Sequence, residues 1–337
     1  MERNFSIDIF KGLLVIGMVL VHIMQFFSDP SISPSVEYVI NIGNVITFSG
    51  FVFCFGYVAE ISYLEKDLKN VYKKIIKNSI KTLIAFYVSG SAFQLFVAGN
   101  PIEWNTFKEI LLLNTMPGWS EFLASFAYFS FVTLILFVPF KKVLSNKILF
   151  WIIFFSLFST CFIPYEKVTI NQLGVLIGTN KFAAFPVLQY MPFYMLGMYF
   201  EKYDIKFNLA FAGGALLLSV YPLYEIIVLK APPCRFPPSV SWIVAPMFIL
   251  YLYYLAAIML ERFALYLSPI IAFGQNVLFC LVVSNIFIFT LDSKFNKLTL
   301  KPLQCIYMEL IFLAVVYYLV SIVSKVKKSY GNIIKTS

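Results

Sequence analysis

The chain is poor in charge: of its 337 residues only 13% are Asp, Glu, Lys or Arg, against about a quarter in an ordinary soluble domain. It has one histidine, His22, and five scattered cysteines at 54, 161, 234, 280 and 305. That pattern excludes a disulfide framework and gives no metal-ligand spacing, so no metal is expected. Long hydrophilic stretches are missing too, which leaves no separate soluble domain. No small-residue cleavage site follows the first apolar run, so that run is expected to be a retained helix and not a removed signal peptide.

What is present is apolar. Hydrophobic residues make up 60% of the chain, with 38 Phe and 21 Tyr, and the mean hydropathy is +0.83. Candidate spans fall at 5–27, 37–60, 80–98, 119–140, 147–164, 184–200, 207–227, 240–260, 268–290 and 302–324. Their lengths predict an all-α integral membrane protein of about ten transmembrane helices. The expected organisation is one membrane domain over 1–324 and a basic cytoplasmic tail over 325–337. No internal repeat is evident.

The net charge of +9 would point to nucleic acid in a soluble protein; here the positive-inside rule accounts for it, and no nucleic-acid partner is expected. With the N-terminus inside, the inner segments carry 17 of the 26 basic residues and the outer ones 8, with Lys11 inside a span. The bias predicts an even number of spans with both termini cytoplasmic. Three joints stand out. Residues 66–81 are lysine-rich and lead into the third helix, and 101–115 read as a short interfacial helix. The 228–239 loop, with Pro232-Pro233 and Pro237-Pro238, is expected to be non-helical and to face outward.

The first span reads Ser6-Ile7-Asp8-Ile9-Phe10-Lys11-Gly12, then apolar residues to His22. At 100° and 1.5 Å per residue, Lys11 and His22 share a face about 16 Å apart, with Asp8 one turn before Lys11. Ionisable groups inside a span are functional candidates by default. Asp8 and Lys11 are near enough to the helix end to snorkel to the headgroups instead. His22 is deep and can act as a base near neutral pH, although capping a neighbouring helix is the plainer reading.

These residues resemble those of the acyltransferase family 3 membrane proteins, which O-acetylate cell-surface and secreted glycans. That family opens with a span holding an Asp, a basic residue, ten residues and a His; Asp8, Lys11 and His22 match, with Lys for the commoner Arg. Thr47-Phe48-Ser49-Gly50-Phe51-Val52-Phe53 is similar to the family's Phe-rich Ser-Gly-Phe stretch, with Gly43 where a Pro usually stands. Lys74-Ile75-Ile76-Lys77, followed by Lys81, resembles its basic RxxR-type element, and the Pro expected after it is Ala85. Trp119-Ser120-Glu121-Phe122-Leu123 looks like its Trp-Phe-Leu stretch. Gly274-Gln275-Asn276-Val277-Leu278 resembles a late segment that often ends in a His, replaced here by Ser284-Asn285. Lys cannot clamp an oxyanion bidentately as Arg can, and His22 has no second histidine behind it.

The resemblance implies an O-acyltransferase, most often an acetyltransferase, with acetyl-CoA as donor. The acceptor would be a sugar hydroxyl on a cell-surface glycan or its lipid-linked precursor, met at a bacterial plasma membrane. High Lys, Ile, Asn and Phe usage hints at an AT-rich bacterium. By the same implication His22 is the general base, Lys11 steadies negative charge and Asp8 orients Lys11. Lys74, Lys77 and Lys81 would bind the acyl-CoA phosphates; the positive-inside rule explains the same lysines without a ligand. Trp119 and Glu121 are acceptor-site candidates, with an interfacial anchor and a local charge as the alternative. The competing functions are amino-sugar N-acetylation and a glycan transporter or polymerase. A transporter would be expected to show inverted repeats or broken helices, and only Gly213-Gly214 and the proline loop lean that way.

Overall fold

The computed structural model describes residues 4–31, 33–101, 103–295 and 298–336, with the backbone alone for 324 and 326–336. Arg3 and Lys297, both used in the charge count, lie outside the described residues, as do the side chains of Lys327, Lys328 and Lys335. Every regular element described is helical. In chain order these are α1 (Phe5–Phe27), α2 (Pro34–Ala59), α3 (Leu68–Phe96), α4 (Trp104–Leu111) and α5 (Glu121–Ile135). They continue as α6 (Phe137–Ser145), α7 (Lys147–Ser156), α8 (Asn171–Ile177), α9 (Val187–Lys202) and α10 (Leu209–Ile227). The last are α11 (Val240–Val244), α12 (Met247–Leu260), α13 (Ser268–Gln275), α14 (Val277–Lys294) and α15 (Pro302–Thr336).

Among the described residues, six helical stretches are long and apolar enough to cross a bilayer, or seven if the bent α5–α6 pair is one span. The chain is thus an all-helical, multi-pass membrane protein. Helix occupies all ten expected intervals, and those beyond the six depart from a plain span for physical reasons. α3 begins at Leu68, twelve residues before the expected 80, so its first turns are polar and lysine-rich. α5 and α6 bend by 77°; Pro139 sits one turn after Ile135, whose carbonyl loses its N–H partner there. α7 passes into a 3₁₀ stretch at Leu157–Phe162, and α9 has only 16 residues with Pro192 inside. The expected 268–290 span is broken between α13 and α14. Asn276 leaves helical geometry there, and its side-chain amide donates to the Ala272 carbonyl at 2.9 Å. The expected tail continues the backbone of α15, and α4 occupies the expected 101–115 helix.

By packing, the helices gather into two compact units: Met1–Gly43 with Ala256–Ser337, and Asn44–Leu255. The first is built around α1, which packs on α13, α14 and α15. Its entry is fixed by Asn4, whose side chain accepts from Ile7 N, and by Glu261, whose Oε1 accepts from Phe5 N and Ser6 N at 3.0 and 3.2 Å. These take up donors that a helix start leaves unpaired. α1 and α13 touch backbone to backbone. A Cβ on Gly12 would stand 2.1 Å from the Ile270 carbonyl oxygen, and one on Gly274 would stand 1.8 Å from that of Asp8. Small residues permit such close crossings in membranes, where packing and not hydrophobicity holds helices together.

In the second unit α3 and α5 form the most extensive helix pair, stitched by hydroxyl bonds. Ser79 Oγ donates to the Ala127 carbonyl at 2.9 Å, and the Ser89 and Ser120 hydroxyls meet at 2.8 Å. At the end of α2 a π turn, Glu60–Leu64, carries Glu60, whose carboxylate lies 3.7 Å from Lys202 Nζ.

Candidate functional site

In the first unit, Lys11 Nζ lies 2.7 Å from Asp8 Oδ1, an i,i+3 pair on α1. Asp8 is buried, and its other oxygen accepts from Gln275 Nε2 at 3.3 Å. The break at Asn276 makes Gln275 the last residue of α13, and the Gly274 contact brings that helix end against Asp8. The two sequence segments singled out earlier, at 8–12 and 274–278, therefore meet. Lys11 keeps some exposure, 18% of its side chain, so its charge is directed but not sealed.

His22 is further along α1, about 16 Å from Lys11 along the axis, and partly buried. Phe26 meets Phe289 of α14 with ring centroids 5.7 Å apart. One turn back on each helix stand His22 and the fully buried Asn285. The polar pair Ser284-Asn285, at the place where the resembling family often carries a His, is thus level with His22. α15 adds a residue that the sequence reading missed. Cys305 lies 3.7 Å from Ser28 Oγ, and one turn on is Glu309, buried with Oε1 unpartnered among the described residues. A lone acid in an apolar run was the signal for it.

In the second unit, Lys74, Lys77 and Lys81 are all exposed on α3 and lie within about 60° of one another around its axis. Lys74 sits over the Tyr63 ring at 5.5 Å, and Asn78 Nδ2 donates to Tyr63 Oη at 2.6 Å. The three ammonium groups form one solvated stripe.

Trp119 and Glu121 are also in this unit but do different things. Trp119 has a left-handed backbone, φ 55°, and its ring meets Phe93 at a tilt, with centroids 5.7 Å apart. Glu121 opens α5, where the helix dipole favours an anion; it is buried, with Oε2 unpartnered among the described residues. Arg235, from the 228–239 segment, is its nearby cation, although the two make no direct ion pair. Burial lowers the Arg235 pKa, with Glu121 and Tyr190 opposing the shift; an arginine stays charged regardless. Its guanidinium lies over Phe236, Phe185 and Trp242, at 4.6, 5.1 and 5.7 Å. Trp242 Nε1 donates to Tyr190 Oη at 3.0 Å. Phe48, from the Phe-rich 47–53 stretch, stacks on Phe185 at 4.1 Å and edge-on to Tyr190 at 4.7 Å. Beside them Gln189 Nε2 donates to Tyr165 Oη at 3.2 Å, and burial pushes the Tyr165 phenol up to about 12. Sequence reasoning passed over Arg235, although it is one of three arginines and lies between two Pro-Pro pairs.

A cleft of about 450 Å³ in the same unit is walled by Phe53, Trp151, Tyr199, Phe211, Tyr251 and Tyr254 among others. Apart from Phe53 of the 47–53 stretch, it holds none of the candidate catalytic or binding residues read from the sequence. No charged side chain lines it.

Residues 4–326 match the family model described as an acyltransferase domain, that of acyltransferase family 3. No curated protein matches the chain. The chain belongs to acyltransferase family 3 and is a multi-pass membrane acyltransferase.

Proposed function

We propose that the protein is an O-acetyltransferase of the bacterial plasma membrane, with about ten spans and both termini cytoplasmic. It moves an acetyl group from acetyl-CoA to a sugar hydroxyl of a cell-surface glycan (capsule, O-antigen or exopolysaccharide) or of its lipid-linked precursor. The observation that carries this reading is the ion pair of buried Asp8 with half-buried Lys11 at one end of α1, with the chain's only histidine further along the same helix.

The division of labour follows from distance. At about 16 Å, Lys11 is out of reach of a carbonyl reacting beside His22. Its charge therefore serves the donor, and Asp8, held by Gln275, keeps it aimed. His22 accepts the proton of the acceptor hydroxyl as that oxygen bonds to the thioester carbonyl carbon. The C–S bond then breaks, and the proton passes to the departing CoA thiolate. An acyl-histidine intermediate would divide the same transfer into two steps. Lys74, Lys77 and Lys81 attract the CoA phosphates as point charges, and Trp119 and Glu121 belong to the acceptor side.

The test is transfer of label from [¹⁴C]acetyl-CoA to glycan in membrane vesicles from cells with and without the gene. Label that appears only with the gene and is released by mild alkali is the expected ester. Alkali-stable label would instead mark an amide, and the amino-sugar reaction. Absence of gene-dependent label would overturn the proposal.

A further inference from the structure

The mechanism above uses nothing from the 228–239 segment, yet that segment delivers a cation into the aromatic cluster of the second unit. Arg235 is partly exposed, but its Nε is buried and has no acceptor among the described residues. The rings of Phe185, Phe236 and Trp242 stabilise the faces of the guanidinium. Rings do not satisfy its N–H donors, which lie in its plane and fit a carboxylate or phosphate fork. Glu121 is the obvious internal partner and does not close that fork, since the two form no direct pair. Glu121, 8% exposed, keeps its own buried oxygen unpartnered as well. A pair built only to brace the fold would be expected to join directly, because a buried carboxyl oxygen and a buried guanidinium N–H left without partners are costly.

The surroundings are aromatic and closely packed, which fixes where the guanidinium sits. Trp242 and Tyr190 are pinned to one another and buried, and Phe48 ties Tyr190 and Phe185 to α2. A carboxyl oxygen accepts from sugar hydroxyls. A neutral sugar would leave the guanidinium unanswered.

We propose that Arg235 and Glu121 are the recognition pair of the acceptor site and select an acidic glycan. Arg235 takes a carboxylate or phosphate carried by the sugar, Glu121 takes a neighbouring hydroxyl, and Phe185, Phe236 and Trp242 hold the cation in place. This rests on the reading of the protein as a glycan acyltransferase.

The experiment is binding of the detergent-purified full chain to a panel of neutral, carboxylated and phosphorylated oligosaccharides, with acetyl transfer from [¹⁴C]acetyl-CoA measured on the same panel. Binding should be confined to acidic members and weaken with salt, and the carboxylated and phosphorylated arms identify which anion is read. Arg235→Gln should lose about tenfold or more in affinity for acidic members. Arg235→Lys should bind less well yet keep the preference for acidic over neutral sugars. If Arg235→Gln fails to fold, the Lys variant and the salt titration of the native protein decide. Equal binding of neutral and acidic glycans, no glycan binding, or an Arg235→Gln protein that binds acidic glycans like the parent overturns the inference. Transfer to neutral glycans alone would sink it and leave the acyltransferase reading intact. Acidic-selective binding with no transfer from acetyl-CoA would do the reverse.

Discussion

Lys11 and Asp8 form an ion pair of 2.7 Å inside α1, and Gln275 holds the second carboxylate oxygen from the broken end of α13. Removing one member leaves the other charge buried or misaimed, so the three side chains act as a unit. Lys11→Arg keeps the charge and brings a planar fork, and should retain activity. Lys11→Met should lose about tenfold or more in kcat/KM for acetyl-CoA. Gln275→Leu should raise the donor KM more than it lowers kcat. A Lys11→Met protein with parental donor kinetics would remove the pair from the donor's path.

The close crossing of α1 and α13 gives a stability prediction with an internal control. Gly274→Ala puts a methyl 1.8 Å from the Asp8 carbonyl oxygen, whereas Gly17, also on α1, has nothing within 4 Å of its would-be Cβ. Overpacking of this kind costs about 1–3 kcal/mol. Thermal unfolding in detergent should therefore shift down for Gly274→Ala and stay near parental for Gly17→Ala.

The exposed stripe on α3 separates a donor site from a topology signal. Replacing Lys74, Lys77 and Lys81 together with Gln should raise the KM for acetyl-CoA, with little effect at saturating donor. The difference from the parent should shrink as salt rises, because the contribution is charge on an exposed surface. An unchanged KM in a protein that reaches the membrane in smaller amount would assign the lysines to insertion.

Much of this was legible in sequence because lipid imposes strong patterns. Apolar runs marked where helix would occur, and a histidine and an ion pair inside one of them stood out against that background. What was not legible depends on where the chain turns. Pro139 and Asn276 break helices whose hydropathy reads as continuous, and only the structure brings Gln275 to Asp8. Arg235 was hidden for the opposite reason: in a loop a basic residue looks ordinary, and its value comes from Phe185, Trp242 and Glu121, which are far away in sequence. Lys74 and Lys77 precede the expected helix start at 80, yet the helix already includes them, since lysine is itself a good helix former.

Orientation has its own test. Cys234 is exposed in the 228–239 segment, Cys54, Cys280 and Cys305 are buried, and Cys161 is half-buried. On intact cells a membrane-impermeant maleimide should label Cys234, and Cys234→Ser should abolish most of the signal. Labelling of Cys234 only after the cells are opened would invert the proposed topology.

The general-base assignment is tested most sharply at His22, where chemistry and packing diverge. His22→Ala should leave an inserted protein with acetyl transfer reduced by about a hundredfold or more. His22→Gln keeps hydrogen-bonding capacity and roughly the shape, but it cannot take the acceptor's proton, so it should be nearly as inactive. If His22 only satisfies a neighbouring helix, Gln should restore most of what Ala loses, in stability and in activity together. Measuring thermal unfolding beside transfer for both variants separates the two accounts. A parental melting point with lost transfer in His22→Gln supports the base, and full activity in that variant at parental expression ends the assignment.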